Sequence, residues 1–103
     1  MEPLRPVRLR LSLDAITQLD EIYAYIAERN EAGATKVLAQ VQQAFVRLCQ
    51  FPHLGRPGGR EGTREWSLPS IRYTIVYRVD VASDELAILG VFHSRQNKPR
   101  AGA

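Results

Sequence analysis

The sequence predicts an α+β fold in which an N-terminal strand is followed by an antiparallel helical hairpin and a three-stranded antiparallel sheet (β-α-α-β-β-β). Three observations predict this order. Residues 7–11 alternate between apolar and charged side chains, residues 14–50 carry two helical apolar stripes, and three later segments have strand-like patterns. With 103 residues, the chain is long enough to form one domain around a single core.

The first strand is predicted from Val7, Leu9 and Leu11, which alternate with Arg8 and Arg10. A period of two is typical of a strand that buries one face. The opposite face would then expose both arginines to solvent.

The first helix is predicted from about Asp14 to Arg29. Ser12 or Asp14 can cap it, because a side-chain oxygen there can accept from the unpaired backbone donors of the first turn. Its apolar stripe consists of Ala15, Leu19, Ile22, Tyr23, Ile26 and Ala27. The side expected to face solvent carries Thr17, Gln18, Asp20, Glu21 and Glu28.

The second helix is predicted to follow a break at Asn30 and Gly33 and to end at about Gln50, before Pro52. Its apolar stripe consists of Ala34, Val37, Leu38, Val41, Phe45 and Leu48. Because the link between the helices is short, they should form an antiparallel hairpin. Cys49 continues the apolar pattern and is interpreted as a packing residue.

An arginine-rich loop follows the helices. Arg56, Arg60 and Arg64 recur every four residues in a stretch that also contains Pro57 and four glycines. Glycine and proline disfavour a helix here, and guanidinium groups on an irregular loop are suited to contacting an anion or a partner surface.

Three strands are predicted after this loop, over about 65–68, 72–79 and 85–93. In the second, Tyr73, Ile75, Tyr77 and Val79 should face the helices, and the opposite face carries Arg72, Thr74, Val76 and Arg78. Both faces of the third strand, Leu86/Ile88/Gly90/Phe92 and Ala87/Leu89/Val91/His93, are largely apolar, which indicates an interior strand or one that a partner covers. The basic tail from about residue 94 has no pattern and is expected to be mobile.

Charge and cysteine content limit the function classes. The net charge is +3, and the surplus lies in residues 52–103, where eight Lys/Arg face five Asp/Glu, whereas residues 1–51 carry six of each. This excess suits contact with nucleic acid or an acidic protein segment. The single cysteine excludes an internal disulfide, and no apolar run has the length of a membrane span or signal peptide. A cytoplasmic location is expected.

Five motifs occur in order along residues 7–97. They are A-x-x-x-L-D-E-I-x-x-Y-I at Ala15–Ile26, P-x-L-G-R-P-G at Pro52–Gly58, G-T-R-E at Gly62–Glu65, Y-x-I-V-Y-R-V at Tyr73–Val79 and V-x-H-x-R at Val91–Arg95. Together they resemble the ParE/RelE toxins of bacterial type II toxin–antitoxin modules, more closely the ParE branch. The resemblance implies a small antiparallel sheet packed on a helical hairpin.

The resemblance implies one of two activities. RelE-like members are ribosome-dependent messenger RNA endonucleases, whereas ParE-like members bind and poison DNA gyrase. In the nuclease branch a strand arginine precedes the I/L-V-Y triplet, and a tyrosine or histidine pair lies near the C-terminus. Here Thr74 takes the first position, and His93 is followed by Ser94. The incomplete nuclease set favours a toxin without catalytic residues.

Binding of the target is therefore assigned to basic side chains, because guanidinium groups pair with phosphate or carboxylate in bidentate fashion. The candidates are Arg56, Arg60, Arg64, Arg72, Arg78, Arg95 and Lys98. In the alternative nuclease interpretation, His93 is the general acid and Arg72, Arg78 or Arg95 contacts the phosphate. A structural, hydrogen-bonded His93 is the competing interpretation. Arg64 with Glu65, and Arg78 with Asp80, are the expected surface ion pairs.

Partners also follow from the resemblance. It implies a ParD-like antitoxin with a ribbon–helix–helix DNA-binding domain and a segment that folds onto the toxin, giving a hetero-oligomer that contacts operator DNA only through the antitoxin. The flank of the helical hairpin near Tyr25 and the sheet edge are the expected docking regions. No cofactor or metal is expected. A non-toxic protein that only binds the antitoxin is a further alternative.

Overall fold

In a computed structural model, which describes residues 7–94, two helices pack on one side of a sheet. The basic tail from residue 95 lies outside the described residues, as do Arg95 and Lys98. The elements are β1 (Arg8–Leu11), α1 (Leu13–Ala27), α2 (Glu31–Gln50), β2 (Arg56–Pro57), β3 (Arg64–Leu68), β4 (Tyr73–Asp80) and β5 (Glu85–His93).

Side-chain caps set the starts of both helices. The Ser12 hydroxyl accepts from the Ala15 N–H at 3.0 Å, and the Asn30 side chain accepts from the Gly33 N–H at 3.0 Å. Because Asn30 is the cap, α2 begins at Glu31, three residues before the predicted stripe. α1 ends at Ala27, two residues earlier than predicted.

The sheet has the strand order β1-β5-β4-β3-β2 among the described residues, so the three predicted strands are extended on both sides. β1 pairs with β5 in parallel, with Leu9 opposite Leu86. On the other edge the arginine-rich loop supplies β2, whose Arg56 pairs with Glu65 of β3. The mixed α+β architecture is as predicted. β2 was not predicted, because two residues are too few to form a periodic pattern in the sequence.

A β-bulge in β5 changes which of its side chains face the helices. Val76 pairs with Gly90 and Tyr77 pairs with Ile88, so Leu89 is an extra residue opposite two consecutive residues of β4. Uninterrupted alternation would keep Ile88 and Val91 on different faces. The bulge puts both on the helix side, where each is at most 1% exposed, and the predicted face assignment for β5 is wrong beyond Ile88.

The core lies between the helices and one face of the sheet. Tyr73, Ile75 and Tyr77 belong to it as predicted, and Cys49 packs there too. Burial raises the pKa of the Cys49 thiol above its ordinary value, which disfavours the reactive thiolate. The full buried cluster is Ala15, Val41, Ala44, Phe45, Leu48, Cys49, Tyr73, Ile75, Tyr77, Leu86, Ile88 and Val91.

Two positions differ from the predicted pattern. Leu9 is 44% exposed, because β1 is the edge strand and its middle residue is only partly covered. Thr74, predicted on the polar face, is only 4% exposed and lies across from the Ser67 hydroxyl at 3.3 Å. Within residues 7–94, neither helix is long and apolar enough to cross a membrane.

Candidate functional site

Three of the predicted target-binding arginines gather on one side of the sheet. The open face is the sheet surface opposite the helices, and by the strand register it carries Arg8, Arg10, Arg56, Glu65, Ser67, Thr74, Val76, Arg78, Asp80, Glu85, Ala87, Gly90 and Phe92. Arg60 lies over this face, where it lines a pocket of about 220 Å³ whose other lining residues include Asp14, Glu65, Val76 and Phe92. Arg56, Arg60 and Arg78 thus share one surface.

Arg56 forms the closest ion pair of the open face. Its guanidinium lies 3.1 Å from Glu65 Oε1, and Glu65 is only 8% exposed. The predicted pair of Arg64 with Glu65 is wrong, because neighbouring residues of a strand point to opposite faces. At least one N–H donor of the Arg56 guanidinium is therefore bonded within the protein and is not available to a target.

Arg64 has a structural role in addition to any contact with a target. Its guanidinium donates to the Gly55 carbonyl at 2.6 Å and lies 3.4 Å from the His53 carbonyl. These bonds hold the start of the arginine-rich loop against β3. Arg64 does not point to the open face.

Tyr77 fixes the same loop from the core. Its hydroxyl accepts from the Gly55 N–H at 2.8 Å and donates to the Pro52 carbonyl at 2.7 Å. Burial raises the pKa of Tyr77, and the Gly55 bond and Arg64 oppose that shift. A Cβ at Gly55 would lie 2.5 Å from the Tyr77 hydroxyl oxygen, so this position requires glycine.

Arg72 lies in the turn between β3 and β4, beyond the opposite end of β4 from Arg78. Its φ is 62°, and its backbone accepts from the Ser94 N–H at 2.8 Å. Its exposed side chain is thus at the end of the sheet where β5 finishes, whereas Arg78 is six residues further along the chain, in β4.

A second surface feature is a cleft of about 840 Å³ between α1 and the end of β5, here called the α1–β5 cleft. It includes both regions that the sequence suggested for a partner, the hairpin flank at Tyr25 and the sheet edge. Its lining residues are Asp14, Thr17, Gln18, Glu21, Ile22, Tyr25, Tyr73, Val91, Phe92 and His93.

The floor of this cleft is the edge of β5 where β1 no longer covers it. β1 pairs with β5 only as far as Ile88. Beyond that point the Ser12 hydroxyl donates to the Leu89 carbonyl at 3.2 Å, and Gln18 Oε1 accepts from the Val91 N–H at 2.8 Å. Side chains from the start of α1 therefore bond to these backbone groups of β5.

His93 lies in this cleft and packs edge-on against Tyr73, with ring centroids 5.3 Å apart. Arg78 is on the opposite face of the sheet. Because His93 pairs with Tyr73, five residues from Arg78 at about 3.3 Å each, the two side chains start roughly 17 Å apart. No arginine or lysine lines the described cleft. His93 and Arg78 do not converge on a phosphate.

Sequence reasoning missed most residues of the cleft. Gln18 and Glu21 were assigned to the solvent side of a helix, and Phe92 to a strand face without a role. No local sequence pattern could have shown these residues, because the cleft forms only where β1 ends and α1 packs along β5. Among residues 7–94, no three His, Cys, Asp or Glu side chains cluster as metal ligands would.

Comparison with known proteins adds independent findings. The sequence model of a protein family described as the ParE toxin of the type II toxin–antitoxin system parDE matches residues 9–98. A protein of Sinorhizobium fredii named "Putative toxin Y4kP" is 40% identical over 93 residues, which are 90% of this chain and 94% of that protein.

Solved structures share the fold. A chain of the chromosomal ParDE system from P. aeruginosa has a TM-score of 0.75 and 23% identity, covering 84% of this chain and 95% of that one. A chain of the RelBE2 toxin–antitoxin complex from Mycobacterium tuberculosis has a TM-score of 0.67 and 25% identity, covering 90% and 97%. The isolated E. coli RelE toxin has a TM-score of 0.68 and 15% identity, covering 89% and 88%.

Proposed function

The chain belongs to the ParE toxin family of type II toxin–antitoxin systems, and we propose that it inhibits DNA gyrase by binding, without chemistry of its own. The observation that carries this proposal is the separation of His93 from Arg78, which lie on opposite faces of the sheet. Cleavage of RNA needs an acid–base group and cations around one phosphate. Binding needs only a complementary surface.

The open face is the surface that we assign to gyrase or its bound DNA. Arg78 is exposed in the middle of the sheet, and Arg60 projects from the loop above it. Arginine pairs with phosphate and carboxylate in bidentate fashion, so both kinds of target surface fit. Of the remaining candidates, Arg72 lies at the sheet end, and Arg95 and Lys98 follow β5 in the sequence.

A supercoiling assay with purified gyrase and the purified toxin tests this proposal. We expect relaxed plasmid to remain relaxed once the toxin exceeds gyrase, and a cleavage-complex assay to show whether DNA breaks accumulate. Normal supercoiling at a large toxin excess would contradict the proposal.

An antitoxin is the expected partner, and related solved structures include toxin–antitoxin complexes. We assign to it the ParD-like type, a dimer with a ribbon–helix–helix domain that binds operator DNA and carries the toxin with it in a cytoplasmic complex. The α1–β5 cleft is the proposed docking site, because it is concave and partly apolar. Co-expression with the gene next to the toxin gene tests this pairing, and the absence of a complex would contradict it.

A RelE-like nuclease is the second candidate. It is favoured by the 25% identity to a chain of the RelBE2 complex, and by Arg72, whose carbonyl bonds to the residue after His93. In a translating extract this function would give cleaved messenger RNA that His93→Ala abolishes. Intact messenger RNA with the wild-type protein would exclude it.

Loss of toxicity is the third candidate. Expression of the toxin alone in bacteria separates it from the other two, because both of those functions stop growth. Normal growth with folded, soluble protein would leave antitoxin binding as the remaining function.

A further inference from the structure

We infer that Glu65 is a positioning residue for target binding, because its buried carboxylate holds Arg56 in the orientation in which this arginine contacts an anionic group of the target. The inference rests on the proposed function, in which the open face binds the target. It specifies how one arginine of that face is ordered before the contact forms. Arg56 belongs to β2, at the edge of the sheet.

The two side chains of this pair differ in exposure. They lie opposite each other in the register of β2 and β3, and Arg56 Nη2 is 3.1 Å from Glu65 Oε1. The arginine side chain is 59% exposed, whereas the glutamate side chain is 10% exposed. The carboxylate is thus a fixed point within the protein, and the guanidinium that it binds is still open to solvent.

The arginine-rich loop keeps Glu65 buried although it lies on the open face. The Thr63 hydroxyl donates to the Arg60 carbonyl at 2.6 Å, and the Thr63 carbonyl accepts from the Gly58 N–H at 2.8 Å. These bonds close the loop, and Arg60 and Thr63 line the same small pocket as Glu65. Because a buried carboxylate is costly when it lacks a cation, Glu65 favours conformations in which Arg56 stays beside it.

The other two ion pairs of the open face are looser. Glu85 has a 28% exposed side chain and lies 3.6 Å from both Arg8 and Arg10, whose side chains are 72% and 64% exposed. Exposed pairs contribute little, because water and salt screen them and both side chains remain flexible. Of these three pairs, Arg56–Glu65 is the one suited to fixing a guanidinium.

The orientation of Arg56 favours target binding in two ways. A guanidinium carries five N–H donors in a rigid plane, so the donors that Glu65 does not occupy can form a bidentate contact with a phosphate or a carboxylate. Because Arg56 is already ordered in the free toxin, binding loses less side-chain entropy than it would with a freely rotating arginine. The bond to Glu65 therefore makes the remaining donors of Arg56 more effective.

Side-chain dynamics test the orientation without any target. From magnetic resonance relaxation of arginine Nε–Hε groups, we expect an order parameter above about 0.6 for Arg56 and a lower one for Arg47, which is exposed on α2. Glu65→Gln should lower the value for Arg56. The matched control is Glu61→Gln, which changes an exposed carboxylate of the same loop and should leave Arg56 ordered. An Arg56 as mobile as Arg47 in the wild-type toxin would overturn the inference.

Gyrase inhibition tests whether this orientation matters for binding. Glu65→Gln removes a negative charge from the open face, so a general charge effect would strengthen contact with an anion. We expect the opposite, a half-inhibitory toxin concentration about fivefold higher than that of wild type, because Arg56 must then be ordered on binding. Glu61→Gln removes the same charge and should stay within twofold of wild type. Unchanged or stronger inhibition by Glu65→Gln would overturn the inference.

A double-mutant cycle separates positioning from a general loss of structure. Arg56→Ala alone should raise the half-inhibitory concentration about tenfold, and Arg56→Ala/Glu65→Gln should raise it no further. Independent effects would multiply to about fiftyfold. Disorder of the loop would also give a larger loss in the double variant, because Arg60 would be displaced as well. A double variant clearly weaker than Arg56→Ala would therefore overturn the inference.

Growth arrest on expression in bacteria, at matched amounts of soluble toxin, separates this inference from the gyrase proposal. If gyrase is unaffected but Glu65→Gln weakens growth arrest and Glu61→Gln does not, the gyrase proposal alone fails and Glu65 positions Arg56 for another target. A wild-type toxin that neither inhibits gyrase nor stops growth would contradict both proposals, since Arg56 would then have no target to contact.

Discussion

The Tyr77 hydroxyl connects the core to the arginine-rich loop. It bonds to a backbone donor at Gly55 and a backbone acceptor at Pro52, and the tyrosine ring is fully buried. A buried backbone N–H that loses its acceptor costs far more than an exposed one, because water cannot replace the lost partner. One side chain thus positions the loop that carries Arg56 and Arg60.

Replacing this hydroxyl should measurably weaken the fold. We expect Tyr77→Phe to lower the free energy of unfolding by about 2 kcal/mol, since the Gly55 N–H is left without its acceptor. Urea denaturation followed by circular dichroism measures the change. Tyr25→Phe is the control, because that exposed hydroxyl bonds only to Arg29 among the bonds described, and its removal should change stability by less than about 0.5 kcal/mol. Equal losses in the two variants would contradict the role of Tyr77.

The same residue should make the protein sensitive to alkali. Burial raises the pKa of Tyr77, so the folded state favours its neutral form. The resulting stability is fully present below the unfolded pKa of about 10 and is lost as pH rises through the higher folded pKa. Unfolding free energy measured from pH 8 to 11 should fall above about pH 10. The fall should be shallower in Tyr77→Phe, although Tyr73, whose pKa burial also raises, leaves part of it. An unchanged slope would contradict this assignment.

Residue types in the sequence predicted where arginines and core tyrosines lie, but not what each arginine does. Arg56, Arg64 and Arg78 have the same chemistry in the sequence, yet they form an ion pair, bond to loop carbonyls and face solvent, respectively. The roles differ because alternate residues of a strand point to opposite faces of the sheet, and because β2 places Arg56 opposite Glu65. β2 is too short to be recognised from the local sequence.

Among the elements, the bulge in β5 has the largest effect on the site. Leu89 is the additional residue, and beyond it Val91 and His93 return to the helix side of the sheet. The sequence predicted the strand and its limits correctly, because both depend on local composition. It could not predict the bulge, since both faces of β5 are apolar and either alternation satisfies the pattern.

Deleting the bulge residue tests this description. In most strands, removing one residue moves every later side chain to the other face. Without Leu89, Gly90 would face Val76 in regular pairing, and Val91 would stay on the core side. We therefore expect the deletion variant to fold, with a loss of about 1–2 kcal/mol because the Leu89 side chain and the Ser12 bond are lost. Thermal unfolding measures the loss.

The control for that experiment is deletion of Val76 from β4. This strand has no additional residue, so the deletion moves half of its core side chains to the open face. Aggregated or unfolded protein is the expected outcome. A folded Val76 deletion, or an unfolded Leu89 deletion, would contradict the assigned register.

At the scale of the whole molecule, the open face and the α1–β5 cleft meet along the edge of β5. Arg60 and Arg78 lie on the open face and Glu21 lines the cleft, while Asp14 and Phe92 line both the cleft and the pocket that contains Arg60. A partner bound in the cleft would therefore lie close to Arg60, at the border of the proposed target surface.

The sequence predicted this arrangement only in part. The fold class and the basic second half were evident from composition, periodicity and the ordered motifs. The α1–β5 cleft was not, because Asp14 and Glu21 lie within a helix whose local pattern is that of an ordinary solvated face. Only the packing of α1 along β5 brings them next to apolar side chains.

Inhibition of gyrase by an arginine variant is the most direct test of the central claim, which is that the open face binds the target. In the supercoiling assay, we expect Arg78→Ala to raise the half-inhibitory toxin concentration about tenfold, as the loss of one charge-assisted contact implies. Arg47→Ala, on the exposed side of α2, is the matched control and should stay within twofold of wild type. An unchanged Arg78→Ala, or an equal loss in Arg47→Ala, would contradict the claim.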